Sequence, residues 1–96
     1  MKLYKLEKAT DGKHKNIVYI KKDEKIYKIQ FGAFGMSDFT IHKDEERKQR
    51  YINRHKANES WGKSGILTAG FWSRWYLWNK PTKRDSLEDI KARFNL

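Results

Sequence analysis

The stretch Thr68-Ala69-Gly70-Phe71-Trp72-Ser73-Arg74-Trp75-Tyr76-Leu77-Trp78-Asn79-Lys80-Pro81 constrains this chain more than any other. Phe71, Trp72, Trp75, Tyr76 and Trp78 crowd around Arg74, and three of the four tryptophans lie here. Each such ring can remove roughly 150–250 Å² from water, so a small interior has to be built on this segment. A helix over residues 68–81 fits, because Pro81 cannot continue one. On a helical wheel Phe71, Trp75 and Trp78 form one stripe, with Trp72 and Tyr76 about 60–100° to the side. That arc is broader than one packing face requires. Trp72, Trp75, Tyr76 and Trp78 are therefore candidates for base stacking or for a partner interface. Arg74 is spaced to lie over Phe71 or Trp78 as a cation–π partner.

Only 38% of the 96 residues are hydrophobic and 35% are charged, so the rest of the core has to be small. One domain spanning residues 1–96 is expected, burying about 60–65% of its unfolded surface. Residues 1–31 read as a β-meander. Lys2-Leu3-Tyr4-Lys5-Leu6-Glu7 is half apolar, Ile17-Val18-Tyr19-Ile20 is β-branched and aromatic, and residues 25–31 mix polar and apolar positions. Residues 10–16 read as a loop. Residues 42–94 read as helical, giving an α+β fold: a three-stranded antiparallel meander followed by three α-helices.

The first of these helices is expected over residues 43–59, with Asp44, Glu45 and Glu46 favoured by the helix dipole in its first turn. At 100° per residue, Lys43, Arg47, Arg50 and Arg54 fall within about 60° of one another. Ile52, His55 and Lys48 lie on roughly the opposite side, with Tyr51 at the flank. The last helix is expected over residues 87–94, with Ser86 and Asp89 at capping-box spacing.

Net charge is +10, from 22 Lys+Arg against 12 Asp+Glu. Such a balance attracts polyanions: nucleic acid, an anionic membrane surface or an acidic protein. All six arginines follow position 46, and a guanidinium binds phosphate or carboxylate bidentately where an ammonium cannot. The charge-recognition surface is therefore expected in the second half: Lys43, Arg47, Arg50, Arg54 and Arg74. There is no cysteine, hence no disulfide framework and no thiolate metal site. No signal peptide is visible at the start and no window approaches the roughly 18 apolar residues of a membrane span, so neither secretion nor a membrane location is expected.

Catalysis fits the residues poorly. The His42 neighbourhood, with Asp38 four residues before and Asp44 two after, is the best constellation for a metal or a general base, and a nuclease is the chemistry it would serve. Asp38 reads more simply as a cap and Asp44 as a first-turn anion. No metal-ligand spacing, nucleophile elbow or P-loop is present, so no enzyme, metal or cofactor is expected.

Three blocks carry a resemblance: Phe31-Gly32-x-x-Gly35-x-Ser37-Asp38-Phe39-Thr40-x-His42-Lys43-Asp44, then Arg47-Lys48-x-Arg50-Tyr51-x-x-Arg54-His55, then Trp61 with residues 68–81. They resemble a family of small basic proteins of unknown function from nucleocytoplasmic large DNA viruses of algae and amoebae. The resemblance implies a viral protein of the host cytoplasm, virus factory, nucleus or virion, and supplies no activity. Two roles follow as expectations. One is a non-enzymatic binder of nucleic acid, DNA above all, with low sequence specificity. The other is a small structural or assembly protein that docks on capsid, on an acidic viral protein or on its own copies through the Trp-rich helix.

Overall fold

The computed structural model describes residues 1–96. Three strands, β1 (Lys2–Lys8), β2 (His14–Lys22) and β3 (Lys25–Ala33), form one antiparallel sheet in the order β1-β2-β3. The α+β expectation, a meander followed by helices, is met. Period-two alternation sends Val18 and Ile20 of the central strand to one face with Ile29 and Phe31, and all four are buried. A bulge between Leu3 and Lys5 keeps both Leu3 and Leu6 of β1 on that same face. Asp23 and Glu24 both take positive φ (50° and 67°), the requirement of a two-residue type I′ turn between β2 and β3.

The expected loop over residues 10–16 is shorter than its composition suggests. Asp11 Oδ1 accepts from the Lys13 and His14 backbone N–H groups, both at 2.9 Å, and Asp11 Oδ2 lies 2.6 Å from His14 Nδ1. This small turn lets β2 begin at His14 and buries Asn16. β3 likewise runs past Gly32, which adopts φ 77°; a Cβ there would lie 2.7 Å from Leu77 Cδ1. Only glycine meets both demands.

The helical part packs on the apolar face of the sheet. Ile66, Phe71, Trp72, Tyr76, Leu77, Ile90 and Phe94 complete the core with the four strand residues. A single helix over residues 43–59 does not form. A short α1 (Phe39–His42) closes at Lys43, which takes the left-handed conformation (φ 56°), and α2 (Glu45–His55) starts afresh. Each has its own N-cap. Asp38 accepts from Thr40 N–H, and Asp44 accepts from the Glu46 and Arg47 N–H groups.

The Trp-rich segment is a helix of mixed pitch. Thr68 caps α3 (Ala69–Trp72), which passes directly into a π turn (Ser73–Leu77) closed by Trp78 N–H on Ser73 O at 3.1 Å. A π turn holds an extra residue, so Trp78 swings out of the stripe it would share with Phe71 and Trp75 in an ideal α-helix. The last helix, α4 (Lys83–Phe94), begins earlier than expected because Thr82, not Ser86, is its cap, accepting from Asp85 N–H at 3.1 Å. Ser86 is fully buried and its Oγ accepts from Lys80 N–H, while Asp89 receives Asn79 Nδ2 and Arg93 Nε.

Candidate nucleic-acid interface

The arginines of α2 stand together. Arg47, Arg50 and Arg54 are all exposed. Arg47 and Arg54 make no ion pair, and Arg50 meets only Glu46, loosely, at 3.9 Å. At 100° per residue the three lie within about 60° around the helix axis. Lys43 is exposed as well, but it belongs to the left-handed link before α2, and its Nζ donates to Thr40 O. It stands at the head of the arginine row, outside the helix.

The inward side of α2 is centred on Tyr51, its only buried residue. Ile52, Lys48 and His55 are half-buried. Tyr51 stacks on Trp78 with ring centroids 4.4 Å apart and planes 2° from parallel, and His55 stacks on its other side at 4.4 Å. His42 extends the column beyond Trp78 at 5.3 Å. Lys48 bridges as well, donating to Asn79 O at 3.1 Å and lying 4.4 Å from the Phe39 ring centre. Tyr51 is only about 40° from Arg47 around the axis, so the arginine row runs along the seam rather than on the far side. Arg54 accordingly borders a cleft of about 500 Å³ that Tyr51, His55, Glu59, Trp78 and Ser73 also line. Burial pushes the Tyr51 phenol well above its ordinary range, with the Glu59 carboxylate adding to the effect, so it stays neutral.

Arg74 does not join this row. Its guanidinium lies 4.3 Å from the Trp75 ring centre and 5.5 Å from that of Trp61, and Nη1 donates to Trp78 O at 2.7 Å. Its Nε is buried without a partner, and burial lowers its pKa. Arg74 is thus a clamp inside the Trp-rich segment and does not belong to the charge-recognition surface expected from the sequence. It reached Trp75 rather than Phe71 or Trp78 because the π turn reset the angular spacing.

The candidate stacking rings are also engaged within the chain. Trp72 is fully buried, its indole N–H donating to Ile66 O, and Tyr76 is buried against Phe31. Neither is available to a base or a partner. Trp75 sits between Arg74 and Arg93, edge-on to Phe94, with its N–H on Trp61 O. Trp78 has one face on Tyr51.

Asp38, His42 and Asp44 do not converge on a common point. The Asp38 carboxylate is buried on Lys15 Nζ at 2.5 Å and on Thr40. The Asp44 carboxylate caps α2, while its backbone N–H donates to His42 Nδ1. Desolvation lowers the His42 pKa, and its buried Nε2 has no hydrogen-bond partner. No group of three or more His, Cys, Asp or Glu side chains is placed to hold a metal ion.

Residues 4–55 match the sequence model of a family described as a family of unknown function, DUF5754. The chain belongs to that family. The DUF5754 span takes in β1 from Tyr4 onward, β2, β3, α1 and the whole of α2, and therefore includes Arg47, Arg50 and Arg54. The Trp-rich segment and α4 lie outside it. Neither a curated protein nor a solved structure matches this DUF5754 chain.

Two attachments, Lys15 to Asp38 and Tyr51 to Trp78, join residues far apart in the sequence. Lys15 and Asp38 are 23 positions apart, and Tyr51 and Trp78 are 27 apart, so no local periodicity could pair them. The one available hint was that Tyr51 is the only aromatic residue of α2.

Proposed function

We propose that this DUF5754 protein is a non-enzymatic viral nucleic-acid-binding protein of low sequence specificity that associates with viral DNA or its packaging. The observation that carries the reading is the row of exposed guanidinium groups on α2, two of the three without any carboxylate partner. Unpaired cations have no intramolecular ion pair to break on meeting phosphate, and each contact releases condensed counterions from the duplex. The row is also held in place, because α2 is bolted to the Trp-rich segment through Tyr51 and Trp78. The resemblance to proteins of large DNA viruses supports the viral setting, in the host cytoplasm, virus factory or nucleus, with carriage in the virion following from packaging.

The test is a salt titration of binding to a random-sequence duplex. Three to four phosphate contacts from Lys43, Arg47, Arg50 and Arg54 predict a log–log slope of about −3 to −4. Replacing Arg47, Arg50 and Arg54 together by Gln should reduce that slope by about 2 to 3 and weaken binding equally on unrelated sequences. No binding at low salt, or a slope that survives the triple replacement, would end the proposal.

A further inference from the structure

The sheet has a second face. Directly opposite residues on neighbouring strands point to the same side, and successive residues point to opposite sides. Val18, Ile20, Ile29 and Phe31 take the side covered by the helical part, so Ile17, Tyr19 and Lys21 take the other. Ile17 is buried yet stands apart from the core cluster, as that placement requires. With their partners these residues form three rungs across the sheet: Lys2–Lys21–Ile26, Lys5–Tyr19–Lys28 and Glu7–Ile17–Gln30.

The charge on this face is one-sided. Lys2, Lys5, Lys21 and Lys28 are all exposed, and Lys2, Lys21 and Lys28 make no ion pair. Lys5 meets Glu7, the only carboxylate on the three rungs, loosely at 3.9 Å. Beyond the first rung, Lys22 and Lys25 offset Asp23 and Glu24 of the turn. Beyond the last, the Asp11 carboxylate is taken up by the Lys13 and His14 backbone N–H groups, His14 Nδ1 and Gln30 Nε2. Four ammonium groups against one carboxylate suit a polyanion.

What lies between the lysines decides which polyanion. Tyr19 is half-buried in the middle rung with a lysine on either side, and Lys5 Nζ stands 4.8 Å from its ring centre. Ile26, on the next rung, is 51% exposed. The Tyr19 ring is thus held by a half-exposed ammonium, a contact worth about two- to fivefold in an equilibrium constant. A nucleobase stacked on an aromatic ring is worth about five- to 150-fold, so a base displaces the ammonium and leaves it free to meet phosphate. A duplex would set only sugar and phosphate against Tyr19 and Ile26, because its bases are already paired and stacked. An anionic membrane offers charge without a ring to stack. A second copy applied face to face would bring the same four lysines together.

We propose that this open face of the sheet binds single-stranded nucleic acid, one base stacking on Tyr19 while Lys2, Lys5, Lys21 and Lys28 hold the flanking phosphates. The site is separate from the arginine row of α2 and does not rest on duplex binding there.

The probe is fluorescein-labelled decathymidylate, followed by anisotropy and compared with an abasic deoxyribose-phosphate strand of the same length. The intact protein should bind the thymidylate about tenfold tighter than the abasic strand. Tyr19→Leu should remove that preference, and Tyr19→Phe should keep it. Replacing Lys5, Lys21 and Lys28 together by Gln, all exposed and so tolerable to the fold, should weaken binding of both strands and lower the log–log salt slope by about 2. The variant with Arg47, Arg50 and Arg54 replaced by Gln should keep the thymidylate preference even where duplex binding is lost, which separates this proposal from the reading of α2. Amide shifts on adding thymidylate should centre on Lys5, Tyr19 and Lys28. Equal binding of the two strands by the intact protein, a preference that survives Tyr19→Leu, its loss in the arginine variant, or shifts centred on α2 would overturn the proposal. So would phosphatidylserine vesicles that bind more tightly than thymidylate and lose that binding in the lysine variant, since the occupant would then be a membrane.

Discussion

Replacing Tyr51 by alanine isolates what holds the arginine row in place. α2 has 11 residues, short of the roughly 12–15 at which an isolated helix becomes even marginal in water, and Tyr51 is its only buried side chain. Burying such a ring contributes about 1.5–3 kcal/mol. Its stacking on Trp78 and on His55, each with centroids at 4.4 Å, adds about 0.5–1.5 kcal/mol per pair. The sum, about 2.5–6 kcal/mol, brackets the roughly 3–5 kcal/mol that truncating a buried aromatic costs in other cores. Little of the sheet core touches this ring, so the loss should appear as local release of α2, with the core of Val18, Phe31 and Trp72 intact. Hydrogen exchange at the amides of residues 49–55 should accelerate by about two to three orders of magnitude in Tyr51→Ala, and binding to duplex DNA should weaken although no charge has changed. Tyr51→Phe, which keeps the ring and loses a hydroxyl that makes no hydrogen bond, should cost under about 1 kcal/mol. Undiminished α2 protection in Tyr51→Ala would refute the stacked column as the anchor.

Three further outcomes are expected. Lys15→Met and Asp38→Asn should each destabilise by about 3–5 kcal/mol by leaving a buried partner charge uncompensated, and the double variant should lose less than the sum, by about 1–3 kcal/mol. Strict additivity in urea denaturation would refute the pairing. At Gly65 a Cβ would stand 1.9 Å from the Ser60 carbonyl oxygen, so Gly65→Ala should cost about 1–3 kcal/mol where Gly62→Ala, with open space around it, stays within about 0.5. Equal thermal midpoints for the two would remove the steric argument. Acidification should destabilise in two stages. Desolvation depresses the folded-state pKa of His42, Arg47 and Lys15 adding to the effect and Asp44 and Asp38 opposing it. The unfolded chain therefore takes the proton first as pH falls below about 6.5. Hydrogen bonds from His14 hold the Asp11 carboxyl low. At Asp89 burial acts in the opposite sense, but the bonds from Asn79 and Arg93 outweigh it. A second loss should follow below about pH 4. Urea midpoints that stay level or rise between pH 7 and pH 5 would contradict the His42 environment.

Short-range physics made much of this protein legible before any coordinates. The β-branched and aromatic run from Ile17 to Ile20 and the mixing of polar and apolar positions over residues 25–31 mark strands, whose neighbouring side chains point to opposite faces. The helix start near Thr68, the acidic residues at the start of α2 and the exposure of Arg47, Arg50 and Arg54 are local consequences of backbone hydrogen-bonding needs and helical phase, although the Trp-rich helix already ends at Leu77, before Pro81. Tertiary structure decided everything that turns on a distant partner. The helix expected over residues 43–59 broke at Lys43 because Asp38, fixed by Lys15 of β2, caps a separate α1. A π turn redirected Trp78 onto Tyr51, and with it moved Arg74 from the surface into an aromatic clamp. Phe34, Met36 and Ile41 are exposed despite their apolar side chains, and the apolar sheet face is covered instead by residues of α3, the π turn and α4. Periodicity reports which side of an element a residue occupies. What stands across from that side is set by how the elements pack.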